Sequence, residues 1–192
     1  MLWYWSLDDD DEEDEIEIKN TKPAPQKSDV YESKVEILTD PDDTNMKLVC
    51  LNLNDEHFGD DGVLRLSTYL SSNQSKFTEI NLKNNNITNS GAKCICNALS
   101  TYTTCTTLNL GRNVIGDEGA IAIASLLKMN RTIEGMALHN NQIGDVGAAA
   151  IADALKINSS LIILRLENNC ISSGTEKKLK EAWGQRRGRL CL

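Results

Sequence analysis

The sequence predicts an α/β solenoid built from repeated strand–turn–helix units, and three observations carry that prediction. The first is periodicity: apolar starting points at Leu48, Phe77, Cys105, Ile133 and Leu161 lie 29, 28, 28 and 28 residues apart. A fixed period of roughly 20–50 residues marks stacked repeats. The second is that apolar residues recur three and five places after each start. They are Leu51 and Leu53, Ile80 and Leu82, Leu108 and Leu110, Met136 and Leu138, and Leu164 and Leu166. The third is a polar position eight places on, occupied by Asn85, Asn113, Asn141 and Asn169, with Glu56 in the first unit. A glycine follows at Gly62, Gly91, Gly119 and Gly147, and one place early at Gly174.

Each unit divides into two halves. The segment around Leu51-Asn52-Leu53 alternates inside and outside, as a strand does. The second half is helical, since Ala120, Ile123, Ala124 and Leu127 fall at i, i+3, i+4 and i+7, as do Ala148, Ile151, Ala152 and Leu155. Neither half can bury its apolar face alone, so stacked neighbours must share one core. The recurring asparagine suits a tight turn, because a carboxamide both donates and accepts hydrogen bonds. Asparagines in successive rungs are therefore expected to form an internal ladder, with Glu56 marking an end rung near solvent.

Both ends read as caps. Trp183 stands where Leu99, Leu127 and Leu155 stand in earlier units and is expected to lid the core. Arg189-Leu190-Cys191-Leu192 reads as a short closing strand. Residues 33–38 read as a front strand through Val35 and Ile37, ending before Pro41. The expected organisation is an acidic, disordered segment over 1–32, an N-terminal cap or linker over 33–47, and five repeats with a C-terminal cap over 48–192.

Charge separates these regions. Residues 1–47 hold 15 acids and 5 bases, whereas residues 48–192 hold 13 acids and 15 bases. Residues 8–17 contain nine acids and one isoleucine, a block that repels itself and buries little. A net charge of −8 disfavours nucleic acid as a general partner. The apolar start Met1-Leu2-Trp3-Tyr4-Trp5 runs straight into acid and lacks the basic start of a secretory signal. No apolar run approaches the roughly 18 residues of a membrane span. The expectation is a cytoplasmic monomer without membrane association. Six cysteines then read as thiols rather than a disulfide frame.

The units, such as Leu108-Asn109-Leu110-Gly111-Arg112-Asn113-Val114-Ile115-Gly116-Asp117-Glu118-Gly119-Ala120, resemble the ribonuclease-inhibitor subfamily of leucine-rich repeats. That subfamily includes the repeats of NOD-like receptors and Ran GTPase-activating protein. The resemblance covers roughly residues 48–183. It implies a right-handed leucine-rich-repeat solenoid, a short horseshoe with parallel strands on the concave face and helices on the convex face. It also implies a protein partner, since members mostly bind proteins. Five repeats are fewer than ribonuclease inhibitor or Ran GTPase-activating protein carries, and no NTPase module accompanies them. Tropomodulin also ends in a short five-repeat solenoid, but nothing here matches its actin-binding front half.

Outward-pointing strand residues form columns across the predicted concave face. One column is Asn52, Asn81, Asn109, Ala137 and Arg165; the next is Asn54, Lys83, Gly111, His139 and Glu167; a third is Asp55, Asn84, Arg112, Asn140 and Asn168. Five strands at about 4.8 Å spacing span only roughly 20 Å, enough for a small epitope or a helix. The candidate partner-binding residues are Asn81, Lys83, Asn109, Arg112, His139, Arg165 and Glu167, with His139 expected to project into solvent. A plain solvated face is the alternative reading of these columns.

The remaining motifs read as structural. Cys94 and Cys96 match Ala122 and Ala124 of the next unit, and Cys105 matches Ile133, so they read as small buried hydrophobes rather than a metal or redox pair. Asn73, Asn86, Asn130 and Asn158 begin Asn-x-Ser/Thr triplets, and three of them follow a helix, where asparagine tolerates the left-handed conformation that ends helices. Asp117-Glu118 fits helix N-terminal charge. The acidic run reads as a solubiliser, a recognition element for a basic partner, or an intramolecular ligand for residues 176–189, which carry six bases and two acids. No phosphate loop, His-Glu-x-x-His or Cys-x-x-Cys motif is present. The sequence therefore points to a non-catalytic scaffold or adaptor, with no cofactor and no metal. A GTPase-activating module of the Ran type and an acidic histone-binding chaperone are the rival readings.

Overall fold

The structure, a computed structural model, describes residues 34–39, 47–72 and 77–192. The acidic segment assigned to residues 1–32 and the triplet starting at Asn73 lie outside the described residues. Among the described residues seven strands form one sheet in chain order: β1 (Val35–Thr39), β2 (Lys47–Asn52), β3 (Glu79–Asn81), β4 (Thr107–Asn109), β5 (Gly135–Ala137), β6 (Ile163–Arg165) and β7 (Arg189–Cys191). Among the described residues five helices follow β2 to β6 in turn: α1 (Gly59–Ser72), α2 (Asn89–Leu99), α3 (Asp117–Met129), α4 (Asp145–Leu155) and α5 (Ser173–Trp183). β1 runs antiparallel to β2, and every later pair is parallel. The expected front strand is β1, and the expected closing strand is β7.

The predicted alignment of apolar residues is the organising feature. Leu51, Ile80, Leu108, Met136, Leu164 and Leu190 stand in register across six strands. The first five are fully buried and Leu190 packs against the same core. Strand alternation sends these side chains toward the helices and their neighbours away. From the other side Ala120, Ile123, Ala124 and Leu127 of α3 are buried, as are Ala148, Ile151, Ala152 and Leu155 of α4. Each helix packs against the next along the stack. Trp183 joins the core at the end of α5, as its place in the repeat predicts.

The asparagine ladder is present. The Asn113 side-chain oxygen accepts the N–H groups of Asn85 and Ile87, both at 3.0 Å. Its nitrogen donates to the carbonyls of Leu82, Leu110 and Gly111 at 3.0–3.1 Å. Asn85, Asn141 and Asn169 likewise donate to carbonyls of the rung before, at Leu53, Leu110 and Leu138. Glu56 interrupts the series, is exposed, and pairs with Lys34.

A second ladder runs along the helix C-terminal side and corrects the left-handed reading of Asn130 and Asn158. The backbone of Asn130 is extended, at φ −72 and ψ 138, and both residues are buried. Their carboxamides reach back to Leu99 and Leu127 carbonyls, at 3.4 and 2.9 Å. Tyr102 and Arg186 occupy the same repeat position, 28 residues before Asn130 and 28 after Asn158. The Tyr102 hydroxyl accepts the N–H of Phe77 at 2.9 Å. The Arg186 guanidinium donates to the carbonyls of Leu155 and Asn158 and lies 5.6 Å over the Trp183 ring. The cap thus ends in a cation stacked on the lid residue.

Candidate protein-binding face

The strand residues that turn away from the helices meet in columns, as the register requires. Asn52, Asn81, Asn109, Ala137, Arg165 and Cys191 are paired in sequence across the sheet. The third column is tied to the second column of the following rung. Arg112 donates its N–H to the carbonyl of His139 at 2.8 Å, and Asn140 donates to that of Glu167 at 2.8 Å. These bonds fix where the second and third columns lie relative to one another.

Every residue of the third column has a left-handed backbone: Asp55, Asn84, Arg112, Asn140 and Asn168 have φ of 61, 55, 54, 53 and 56. Asparagine and aspartate tolerate that region through local hydrogen bonds, whereas other L-residues strain to occupy it. Arg112 is the member of the column without that tolerance. Its long cationic side chain stands on a backbone conformation that glycine or asparagine would hold more easily.

The seven candidate residues do not all sit alike. Asn109 is 1% exposed, and its side-chain oxygen accepts the N–H of Gly111 at 2.9 Å. Asn81 is half-buried; its oxygen accepts the N–H of Lys83 at 3.1 Å, and its nitrogen donates to Asn52 at 3.1 Å. These carboxamides bind the strand ends and hold the next column in place. Lys83 and Arg112 are half-buried. Arg165 and Glu167 pair at 3.1 Å, with side chains 21% and 27% exposed. Partial shielding leaves such a pair less screened than one in open water.

His139 differs from its expected position. It is 2% exposed rather than projecting into solvent. A Cβ added to Gly111 would lie 2.3 Å from its Cε1, so the imidazole fills the space that the missing side chain leaves on the neighbouring rung. The structure therefore places Arg112, His139, Arg165 and Glu167 on three consecutive rungs around this packed ring, with Lys83 and Asn81 one rung earlier.

The cysteines do not add chemistry to this face. Burial pushes the Cys96 and Cys105 thiols up to about 12, which keeps them protonated. Cys191, at the far end of the first column, is also shifted upward, by burial first and by the Glu167 carboxylate second. Among the described residues no cluster of His, Cys, Asp or Glu is placed to hold a metal ion.

Two features escaped the sequence reading. One is the second ladder. The other is that helices are capped from the preceding rung. The N-cap positions of α3 and α4 are Gly116 and Gly144, which have no side chain to cap with. Asn89 accepts the N–H groups of Gly116 and Gly119 at 2.7 and 3.0 Å. Asp117 accepts those of Gly144 and Gly147, both at 2.8 Å. The signal was the 28-residue spacing of Asn89, Asp117 and Asp145.

The leucine-rich-repeat family model matches residues 73–96, 103–124 and 130–152. Comparison with curated proteins gives no match. The chain is similar to the solved structure of Leiomodin-1 Actin-Binding Site 2, with 32% identity and a TM-score of 0.57, covering 60% of this chain and 69% of that one. It also shares its fold with the tropomodulin C-terminal domain of Caenorhabditis elegans, at 21% identity and a TM-score of 0.56, covering 73% of this chain and 84% of that one. Among the described residues no helix is long and apolar enough to cross a membrane. Repeat match, shared fold and sequence identity agree that the chain belongs to the leucine-rich-repeat proteins.

Proposed function

We propose that this chain is a non-catalytic protein-binding module whose partner meets the open, concave face of the sheet at Lys83, Arg112, Arg165 and Glu167, around the packed ring of His139. The observation that carries the reading is Arg112. An arginine held at a left-handed φ of 54, in a column otherwise made of Asp and Asn, is there for its side chain rather than for its backbone. Asn81 and Asn109 serve the site by fixing the strand ends. Rigid rungs also suit recognition, because less ordering entropy is lost when a partner binds.

Likeness to an actin-binding site of leiomodin-1 makes actin the first partner to test. Titration of fluorescently labelled monomeric actin, and co-sedimentation with filaments, compares the wild type with the Arg112→Ala/Arg165→Ala variant. Binding by the wild type that falls at least about tenfold in the variant supports both partner and face, since central arginines are frequent interface anchors. Equal binding by both chains points to another surface, and no binding by the wild type removes actin as the partner.

A further inference from the structure

The C-terminal ends of α3 and α4 carry a surface that internal packing does not account for. Met129 is 65% exposed and Ile157 59%, and they occupy the same place in successive rungs. Each follows an exposed lysine, Lys128 or Lys156. Two residues beyond Met129 stands the exposed Arg131, and the matching place two rungs on is the exposed Arg187. In the rung before, the corresponding residues are Ser100, Thr101 and Thr103, so this ledge of bases and apolar tips begins at the third repeat. Cations at helix C-termini complement the helix dipole, and Arg131 donates to the carbonyls of Leu127 and Asn130. That explains positive charge there, but not two bare apolar side chains beside it. The acids nearby are Asp153, which pairs with Lys156 at 2.7 Å, and Glu181.

The chain itself carries the complementary pattern. Leu2, Trp3, Tyr4, Trp5 and Leu7 supply apolar groups, and nine acids follow in residues 8–17. Residues 18–33 join this segment to the described fold, and sixteen residues reach about 53 Å when extended. The seven-stranded sheet is only about 29 Å from edge to edge, so the tether suffices. Tethering also raises the local concentration of the segment far above that of a free competitor. We propose that residues 1–17 dock in cis on the ledge of Lys128, Met129, Arg131, Lys156, Ile157 and Arg187, with Trp3 and Trp5 on the apolar tips and the acidic run along the bases. The contact is electrostatic in part and weakens with salt. It is independent of what binds the sheet face.

Tryptophan fluorescence of the full chain tests this. Of the three tryptophans, Trp183 is shielded, so collisional quenching by acrylamide reports on Trp3 and Trp5. At low salt the wild type should quench less than a synthetic peptide of residues 1–17. Its quenching constant should rise toward the peptide's with added salt, in Met129→Asp/Ile157→Asp, and in Lys128→Glu/Lys156→Glu/Arg187→Glu. All five substituted positions are exposed, and the salt titration gives the same readout with no substitution at all. Trp183 lowers the constant of every variant alike, so a wild-type constant that rises neither with salt nor in either variant overturns the proposal. Carbodiimide cross-linking of mixed isotopically light and heavy chains adds the topology. Links from residues 8–17 to Lys128 or Lys156 within one chain support docking in cis, whereas links only between light and heavy chains overturn it.

Discussion

Asp117 belongs to one rung and Gly147 to the next, yet the Asp117 carboxylate oxygen accepts the Gly147 N–H at 2.8 Å. The first residue of one helix thereby caps the start of the following helix. The closeness of this approach explains the recurring glycine. A Cβ on Gly147 would lie 2.6 Å from the Ala120 Cβ and 3.0 Å from the Asp117 Cα, so the two helices would have to part. In a free helix, alanine is better than glycine by about 1 kcal/mol. Overpacking against backbone costs about 1–3 kcal/mol and should win. Gly147→Ala is expected to lower unfolding stability by up to about 2 kcal/mol in urea titration. A gain in stability would mean that the rungs have slack here.

Asn113 illustrates how much one side chain can bind. It satisfies two N–H groups and three carbonyls inside the stack. Alanine would leave several of these without partners in a buried place, at about 1–3 kcal/mol each before relaxation. We expect Asn113→Ala to cost about 3 kcal/mol or more, and Asn168→Ala, exposed but at a left-handed φ of 56, to cost only the roughly 1–2 kcal/mol of that backbone conformation. Similar losses at both positions would contradict the ladder's internal role.

Much of this was legible in the sequence, because a 28-residue period repeats a chemical need at a fixed place. The strands, the alanine-lined helix stripe, the first ladder and Trp183 as lid all follow from counting. What stayed hidden was position-specific change of residue type. Tyr102, Asn130, Asn158 and Arg186 share one place and one task, but a tyrosine and an arginine do not look like asparagines on paper. His139 was misjudged for another reason. Strand alternation correctly turned it to the open face, but its burial depends on Gly111 one rung away, and only adjacency of the two makes that visible.

The cap should respond to acid in a defined sense. Asp145 accepts from the N–H and the hydroxyl of Ser172, at 2.8 and 2.9 Å, and these bonds hold its carboxyl below the ordinary value of 3.8. A depressed carboxyl contributes stability above its unfolded pKa and loses it as pH falls through the folded one. Wild type should therefore be more stable than Asp145→Asn near neutrality, and the gap should close as pH falls below about 4. Parallel stability curves in acid would show that the charge does not matter there.

Gly111→Ala separates the binding face from the fold. The added methyl would press the His139 ring, the flexible end of a side chain, out of its seat. Thermal unfolding should move less than in Gly147→Ala, because the atoms in the way are the far end of a side chain rather than backbone. Partner affinity should fall, because Arg112 and Arg165 flank the displaced ring on either rung. Unchanged affinity would show that the order around His139 is not what the partner reads.

Hydrogen–deuterium exchange of the full chain, alone and saturated with its bound protein partner, with actin as the first to be tried, bears most directly on the proposed face. The account predicts new protection at the strand ends and turns over residues 81–84, 109–112, 137–140 and 165–168, with α2, α3 and α4 unchanged. Protection gained on the helices, with those four segments exchanging as they do in the free chain, would contradict it.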